Sequence, residues 1–380
     1  MSINTTLTQM QEASYNIVIT DGNSTKNKMQ IDPGDIHFFS ILWDINEICV
    51  EGFITFRDTI KVTEMIPPNA GLRLEVSMKD SIGGSFEFIF VVTKIEKDLS
   101  NGSNIEVKMN LIDEYFNYFV NTYKSKGFKN KKASDIAKEL VENPESGLIS
   151  KKAEVKVIDS EKEYENYAIP SNKSLLAFLY NIEKFDNMMC LRNRNSFIVV
   201  PKNKISSLAP DMSSKCLFTA NPTQLQSPLF CYGFNIVGTD KMRENMVLAK
   251  TKSYSLDGKK IEVNEHFIGK TASDLSLNTT PLSTTITKGV RTSYLDKNIM
   301  DSIFTSGTIQ QNSIEIRVNG MFFNKLLNKV GFDTNSTMQG YKEKMPFING
   351  NYYITKIYDI IENGMSFTQH ITLSRVGVKA

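Results

Sequence analysis

The segment TKIEKDLSNGSNIEVKMNL at residues 93–111 has a gap-free counterpart, TKIYDIIENGMSFTQHITL, at residues 355–373. Both begin with Thr-Lys-Ile, carry Asn-Gly near the centre and end in leucine, at a constant offset of 262 residues. An Asn-Gly pair between alternating apolar runs predicts a β-hairpin. The constant offset favours internal duplication and therefore two related β-domains. Coincidence is the alternative, because hairpins share turn residues and β-rich composition.

The first hundred residues around this segment contain short apolar runs separated by turn signals such as Asp21-Gly22 and Gly83-Gly84. In 72–76 the apolar residues fall at every second position, which predicts strands with one buried face. The predicted strands are Tyr15–Thr20, Ile36–Trp43, Val50–Phe56, Leu72–Met78, Phe86–Glu96 and Asn104–Ile112. Six such strands predict a small barrel over residues 1–112.

Residues 113–206 are predicted to form an inserted α+β domain, because the apolar spacing becomes helical there. Ser134 is the predicted N-cap of a helix that ends at 143–144. A second helix is predicted to open at Pro170-Ser171, with an apolar stripe over 175–185 that indicates core packing. The runs Met188–Leu191 and Phe197–Val200 predict a hairpin across 192–195.

Residues 207–302 are predicted to be a mixed β segment and long loop that partly completes a second barrel, formed by 303–380. The predicted strands are Cys231–Val237, Met246–Tyr254, Lys259–Val263, Ile314–Val318, Tyr352–Ile361 and Met365–Arg375. Residues 271–298 are rich in Ser and Thr, which predicts a long loop or a segment that orders against a partner. The fold class is α+β, mainly β, with two related barrels and inserted α/β domains.

The composition excludes several function classes. The 380 residues contain 44 basic and 42 acidic side chains, and a formal charge of +2 argues against a nucleic-acid-binding surface. The sequence has no apolar run of the ~20 residues that a membrane helix needs and no secretion signal, so we expect folding in the cytosol and no membrane insertion.

No metal or cofactor site is predicted. Cys49, Cys190, Cys216 and Cys231 form no CxxC pair, and the three histidines are far apart in the sequence. We expect the cysteines to be buried as small hydrophobes, with zinc and disulfides as alternatives. The lysine-rich run 124–132 is predicted to be a solvated loop before a helix, with contact to an acidic partner or DNA as the alternative.

Four segments together resemble the baseplate hub proteins of contractile-tailed bacteriophages and the hub part of type VI secretion spike proteins. They are Val50–Asp58, Lys129–Val141, Tyr167–Cys190 and Tyr352–Ile357 with Thr368–Arg375, and their order along the chain carries the resemblance. The resemblance implies a homotrimer with two tube-like barrels per chain. Six similar lobes would then adapt a sixfold tail tube to a threefold spike and form a channel for DNA passage.

The resemblance also implies a location and partners. We expect assembly in the host cytoplasm into the virion tail baseplate, with tail tube protein, surrounding baseplate proteins, a spike protein, and DNA only in transit. The chain stops five residues after Arg375, so we expect the spike to be a separate polypeptide. The family geometry makes six residues candidates for the subunit or tube interface: Glu51, Phe53, Thr93, Lys94, Thr355 and Lys356.

The sequence contains no phosphate-binding Gly-rich loop, GxSxG turn or HExxH pair, so the chain is predicted not to be an enzyme. A tail-associated peptidoglycan hydrolase is the alternative, with carboxylates such as Glu163 and Glu165 as a possible dyad. A hub from a non-viral contractile injection system is a further alternative, because it would share the same mechanism.

Overall fold

The fold is taken from a computed structural model of the chain. The structure describes residues 13–21, 24–65, 71–98, 105–142, 144, 149–160, 163–205, 216–220, 227, 229–237, 249–257, 260–268, 282–287, 312–334, 349–364 and 366–375.

The N-terminal part folds into seven strands and one short helix. They are β1 (Ser14–Asp21), β2 (Ser24–Ile31), β3 (Ile36–Asp44), β4 (Glu51–Arg57), α1 (Val62–Met65), β5 (Arg73–Lys79), β6 (Ser85–Asp98) and β7 (Glu106–Asp113). All six predicted strands are present, with ends within two residues of the prediction. The sequence reasoning missed β2, which in the described part of the chain pairs only with β1, at the rim of the sheet. The run STKNKMQI is polar apart from Met29 and Ile31 at its end, so its alternation is too short to predict a strand.

The middle of the chain forms a smaller α/β unit. Its elements are α2 (Glu114–Asn121), β8 (Lys126–Lys132), α3 (Ala133–Glu142), β9 (Glu154–Val157), β10 (Glu163–Ile169), α4 (Leu175–Phe185), β11 (Met188–Asn193) and β12 (Ser196–Pro201). The helices pack on the predicted hairpin β11–β12, which has a turn at Arg194 and Asn195. Leu175, Phe178, Leu179 and Ile182 of α4 are buried, which confirms that this stripe is core.

Three predictions for this unit are wrong. Most of the lysine-rich run is the strand β8, which pairs with β10, and Glu139 of α3 forms ion pairs with Lys126 and Lys131. Ser134 lies inside α3 rather than before it, and its buried hydroxyl accepts a hydrogen bond from Ser160 N (3.1 Å). Ser174, not Pro170-Ser171, caps α4, since its hydroxyl accepts from Ala177 N (3.3 Å).

The C-terminal half is almost entirely strands. They are β13 (Leu217–Thr219), β14 (Gly233–Val237), β15 (Ala249–Asp257), β16 (Lys260–Ile268), β17 (Leu282–Thr287), β18 (Asn312–Asn319), β19 (Lys329–Asp333), β20 (Gly350–Glu362) and β21 (Ser366–Arg375). Part of the predicted 271–298 loop is the strand β17, which pairs in parallel with β15. The rest of 271–298 lies outside the described residues, as do the Asn101-Gly102 turn and Gly258 of the predicted Asp257-Gly258 turn.

Whereas β15, β16 and β17 form a separate sheet, the seven N-terminal strands and six of the nine C-terminal strands form one sheet of thirteen strands. Its main path runs β14-β18-β21-β20-β3-β4-β7-β6-β5-β1-β2, with β19 and β13 attached beside β20. The sheet and the α/β unit share the hairpin β11–β12, whose residues are almost all buried. Met189 and Leu191 enter the core of the sheet, whereas Met188 and Cys190 enter the core of the α/β unit. Strands covered on both faces carry continuous apolar runs, as these do.

The two sequence repeats have the same pairing register. Val92 lies opposite Leu111 in β6–β7, and Ile354 lies opposite Leu373 in β20–β21. Each hairpin has an irregularity at the next residue, Thr93 or Thr355, a single extra residue of the kind found at β-bulges. The 262-residue offset therefore relates the positions of the bulges as well as the amino-acid sequences, which supports duplication over coincidence.

The mainly β prediction is confirmed. No closed barrel is detected among the described residues, because the two repeats run into one another through the pairing of β20 with β3. The division into two separate barrels stays a prediction, as do the domain boundaries.

Candidate assembly surface

The sheet has two chemically different faces. Its core face packs Ile54, Met109 and Ile357 inward. The polar face consists of the side chains of β3, β4, β6, β7, β18, β20 and β21 that alternate with these core residues. Alternation is the reason, since successive side chains of a strand point to opposite sides.

Four of the six predicted interface residues lie on the polar face. Phe53, Asn110 and Lys94 are successive partners across β4, β7 and β6. The second repeat has an equivalent row, in which Glu315, Thr372, Lys356 and Asp44 are successive partners. Phe53 and Lys94 therefore lie in one cross-strand row. Lys356 has the place of Lys94 in the equivalent row of the second repeat, 262 residues later. Glu51 is also on this face, two residues before Phe53 in β4.

The other two candidates, Thr93 and Thr355, are the residues at the two bulges. Thr93 Oγ1 donates to the carbonyl of Asn110 at 3.1 Å, and Thr355 Oγ1 donates to the carbonyl of Thr372 at 3.2 Å. These two bonds are again related by the 262-residue offset. Thr355 is buried and Thr93 is exposed, so in this chain the first is a packing residue and the second faces solvent.

The polar face carries both signs of charge side by side. Lys94 pairs with Glu96 at 2.5 Å, and Lys356 pairs with Asp44 at 3.6 Å. Near β14 the face is hollowed into a depression of about 680 Å³. Its lining includes Glu315, Arg317, Lys356, Tyr358 and His370. Burial lowers the pKa of His370, which favours the neutral imidazole at pH 7.

A buried ionic cluster behind the sheet was missed by sequence reasoning. The guanidinium of Arg194, in the β11–β12 turn, forms an ion pair with Asp359 of β20 and donates to the carbonyl of Asn324. Trp43 Nε1 and Gln369 Nε2 also donate to the Asp359 carboxylate, at 2.7 and 2.6 Å. In the sequence, Arg192 and Arg194 lie between two strongly apolar runs. This pattern fits a solvent-exposed hairpin turn as well as a buried ion pair.

A second buried arginine joins the α/β unit to the first repeat. Arg192 Nε lies 3.4 Å from Asp113 Oδ2, and its guanidinium carbon lies about 5 Å from the ring centroids of Phe88, Tyr115 and Phe197. Burial raises the pKa of Asp113 to about 6, although Arg192 and a hydrogen bond from Tyr115 N act in the opposite direction. Both arginines therefore hold elements of the fold together, and Arg194 also lines a depression of about 570 Å³ beside Phe322 and Leu326.

The four cysteines are buried, as predicted, and burial raises the pKa of each thiol. Within the described part of the chain, His, Cys, Asp and Glu residues form no cluster of three that could hold a metal ion. No helix in that same part is both long and apolar enough to cross a bilayer.

At the level of sequence, no protein-family model and no curated protein matches the chain. Solved structures do match. A 43 kDa tail protein of prophage MuSo2 from Shewanella oneidensis superposes with a TM-score of 0.64 at 11% identity, over 95% of this chain and 98% of that one. The chain has a baseplate-hub-like fold.

Two secretion-related structures extend the likeness of this hub-like fold. A Francisella PdpA–VgrG complex matches with a TM-score of 0.58 at 13% identity, over 98% of this chain and 60% of that one. The E. coli c3393 protein, a type VI secretion component described as structurally similar to the T4 tail proteins gp27 and gp5, matches with a TM-score of 0.53 at 8% identity, over 91% and 74%. At such identities the likeness shows the fold alone.

Proposed function

We propose that the chain is a structural hub of a contractile-tail baseplate, acting as a homotrimer between a sixfold tail tube and a threefold spike. The observation that carries the proposal is the repeated hairpin, with the same bulge and the same pairing register at a constant offset of 262 residues. The hub-like fold supports the same role.

Symmetry explains why the repeat matters. A closed trimer of a chain with one β-module offers three equivalent docking places. A trimer of a chain with two similar modules offers six similar places on one side and keeps threefold symmetry on the other. In this proposal 1–112 and 303–380 are the two tube-like modules, 113–206 is inserted at the periphery, and 207–302 partly completes the second module.

The polar face is the proposed channel lining. The hairpin β11–β12 packs on the core face, whereas the polar face carries exposed side chains such as Glu51 and Lys94. Its paired charges, such as Lys94 with Glu96, leave no strong positive field to retain a polyanion. Such a wall is suited to DNA in transit, and the proposal includes no catalytic step.

The proposed contacts with tube protein or neighbouring subunits involve Glu51, Phe53, Thr93, Lys94, Thr355 and Lys356. Exposed members such as Glu51 and Lys94 are available directly. Thr355 is buried in the chain and would contribute by holding the bulge that positions Lys356. The spike and surrounding baseplate proteins would dock on the threefold side, in the tail baseplate of the virion.

Light scattering and electron microscopy test the proposal together. The purified chain, alone and mixed with the tail tube and spike proteins of the same particle, is expected to form a species three times its 43.0 kDa mass. Axial class averages should show six similar lobes around a channel. A chain that stays monomeric in every mixture, or a trimer with three lobes only, would overturn the assignment.

A further inference from the structure

The first strand of each repeated hairpin is β6 in the first repeat and β20 in the second, and the two differ in the strand paired along their outer edge. In the second repeat, the latter half of β20 from Lys356 onward pairs with β3, with Asp359 opposite Ile41. In the first repeat, β5 pairs with β6 only as far as Val91. Among the described residues, no strand pairs with the β5 side of β6 over 94–97. An open strand edge of this kind is a template for pairing with another chain.

The strand β14 is the second repeat's counterpart of β3. In the first repeat, β3 lies beside β4, which lies beside β7; in the second, β14 lies beside β18, which lies beside β21. Following these pairings residue by residue makes Ile236 equivalent to Ile41. The outer edge of β14 ends the main path of the sheet, so in the described part of the chain it has no further strand.

Burial differs between the copies at these two edges. Ile41 is fully buried, whereas its counterpart Ile236 is 55% exposed. Ile357 is fully buried under β3, whereas its counterpart Ile95 is only partly buried. Among the described residues, one covering strand is therefore absent at each edge. By the repeat, the strand that is missing beside Ile236 would be equivalent to β20. The strand that is missing beside Ile95 would be equivalent to β3.

We propose that β6 of one subunit pairs antiparallel with β14 of the next subunit, with Lys97 opposite Ile236 and Glu96 opposite Val237. This register is that of β20 on β3, transferred through the repeat, since Lys97 is the counterpart of Asp359 and Glu96 of Tyr358. The aliphatic stem of Lys97 would cover Ile236. The inference rests on the proposed trimer and names the contact that closes it.

The proposed contact between chains is equivalent to a strand pairing that already exists within the chain. Within a chain, the step from first to second repeat is the β3–β20 pairing. Between chains, the step from second to first repeat is the β14–β6 pairing. A head-to-tail interface that repeats one rotation closes into a ring when the rotation divides a full turn. Six modules from three chains then share one uninterrupted sheet.

A designed disulfide tests the register. Partners in an antiparallel pair have Cα atoms about 4.5 or 5.5 Å apart, both within the range that a disulfide spans. The double variant Lys97→Cys/Ile236→Cys, mildly oxidised, is expected to convert from monomer to covalent trimer on a non-reducing gel and to revert with reductant. The native thiols are buried and should not compete.

Two matched variants complete the test. Lys97→Cys/Val237→Cys shifts the register by one residue, which points the thiols to opposite faces, so it should yield no covalent trimer. Tyr358→Cys/Leu42→Cys, the intrachain counterpart of the Glu96–Val237 pair, avoids the buried Asp359 and should form a bond without a change in mass.

The possible failures are distinguishable. A wild-type chain that is monomeric by light scattering, alone and mixed with the tube and spike proteins, overturns the proposed trimer itself. An intact trimer that stays uncrosslinked, while the intrachain counterpart closes, overturns the register and leaves the trimer standing. A ladder of products larger than the trimer, or crosslinking of the shifted pair, also overturns the inference.

Discussion

At the residue scale, Asp359 has the greatest structural consequence of the charges described above. Its carboxylate receives hydrogen bonds from Trp43 in the first repeat, Gln369 in the second and Arg194 in the α/β unit. A buried ion pair contributes little net stability beyond a well-packed apolar group, but the loss of one partner leaves an uncompensated charge. Asp359 therefore links three parts of the chain that are distant in sequence.

We expect Asp359→Asn to lower the free energy of unfolding by about 3–5 kcal/mol, because Arg194 would stay buried without its counter-ion. Urea denaturation of the variant and wild type measures the difference. Lys356→Met is the matched control, since Lys356 is 46% exposed and its loss should cost less than about 1 kcal/mol. Equal small losses in both variants would contradict the structural role of the buried pair.

The buried carboxyl of Asp113 gives a pH dependence. Its pKa in the folded chain, about 6, lies above the ordinary value of 3.8, so the folded state binds the proton more tightly than the unfolded state. The stability that this provides is complete below about pH 4 and is lost as the pH rises through about 6.

We expect Asp113→Asn to remove this loss, because its amide oxygen can still accept from Tyr115 N without carrying charge. Between about pH 4 and pH 7, the unfolding free energy of the wild type should fall relative to the variant by on the order of 2–3 kcal/mol. Denaturant titrations across this pH range measure it. Asp159→Asn, at a carboxylate that is 65% exposed, should keep the wild-type dependence. Parallel curves for wild type and Asp113→Asn would disprove the assignment.

At the scale of elements, the turn between β20 and β21 has a tertiary role beyond closing its hairpin. Asn363 and Gly364 both have positive φ, 50° and 65°, which is the backbone that an Asn-Gly hairpin turn requires. The turn also packs on the N-terminal strands, where Tyr15 Oη donates to the carbonyl of Gly364 at 2.6 Å. The hairpin of the second repeat is thereby held against the first.

We expect Gly364→Ala to destabilise the chain by about 2–4 kcal/mol, from left-handed strain and from overpacking. A Cβ there would lie 2.0 Å from the carbonyl oxygen of Pro33. Gly83→Ala is the control, because Gly83 has φ 90° but no atom within 4 Å of the added carbon. It should cost only about 1–2 kcal/mol of strain. Thermal unfolding of both variants compares them, and equal costs would show that the Pro33 contact yields without penalty.

At the scale of the whole molecule, the two repeats share a sheet instead of standing as separate bodies. The pairing of β20 with β3 joins residues more than 300 positions apart and buries Ile41, Trp43 and Ile357 in one core. The hairpin β11–β12 then fastens the α/β unit to that core. In the proposed hub, a load on one module would be transmitted through continuous hydrogen-bonded strands to the next.

Much of this architecture was predictable from local patterns. Alternating apolar residues located the six N-terminal strands and the terminal hairpin, and the repeated segment predicted the duplication and its offset of 262 residues. These features depend on residues close in sequence, whose period and turn chemistry suffice. Several strands were not predicted, among them β2, an edge strand, and β8, a lysine-rich strand in which Lys126 and Lys131 pair with Glu139 of α3.

Long-range proximity decided the rest. No local pattern distinguishes the turn arginine Arg194 from a solvated one, because its burial depends on Asp359, 165 residues away. Nor does composition reveal that the polar side of one sheet is continuous across both repeats, or that Ile236 stays exposed where Ile41 is covered. These features depend on which strand edges pair in the folded chain. The free energy that stabilises this pairing comes from the shared core and not from any single segment.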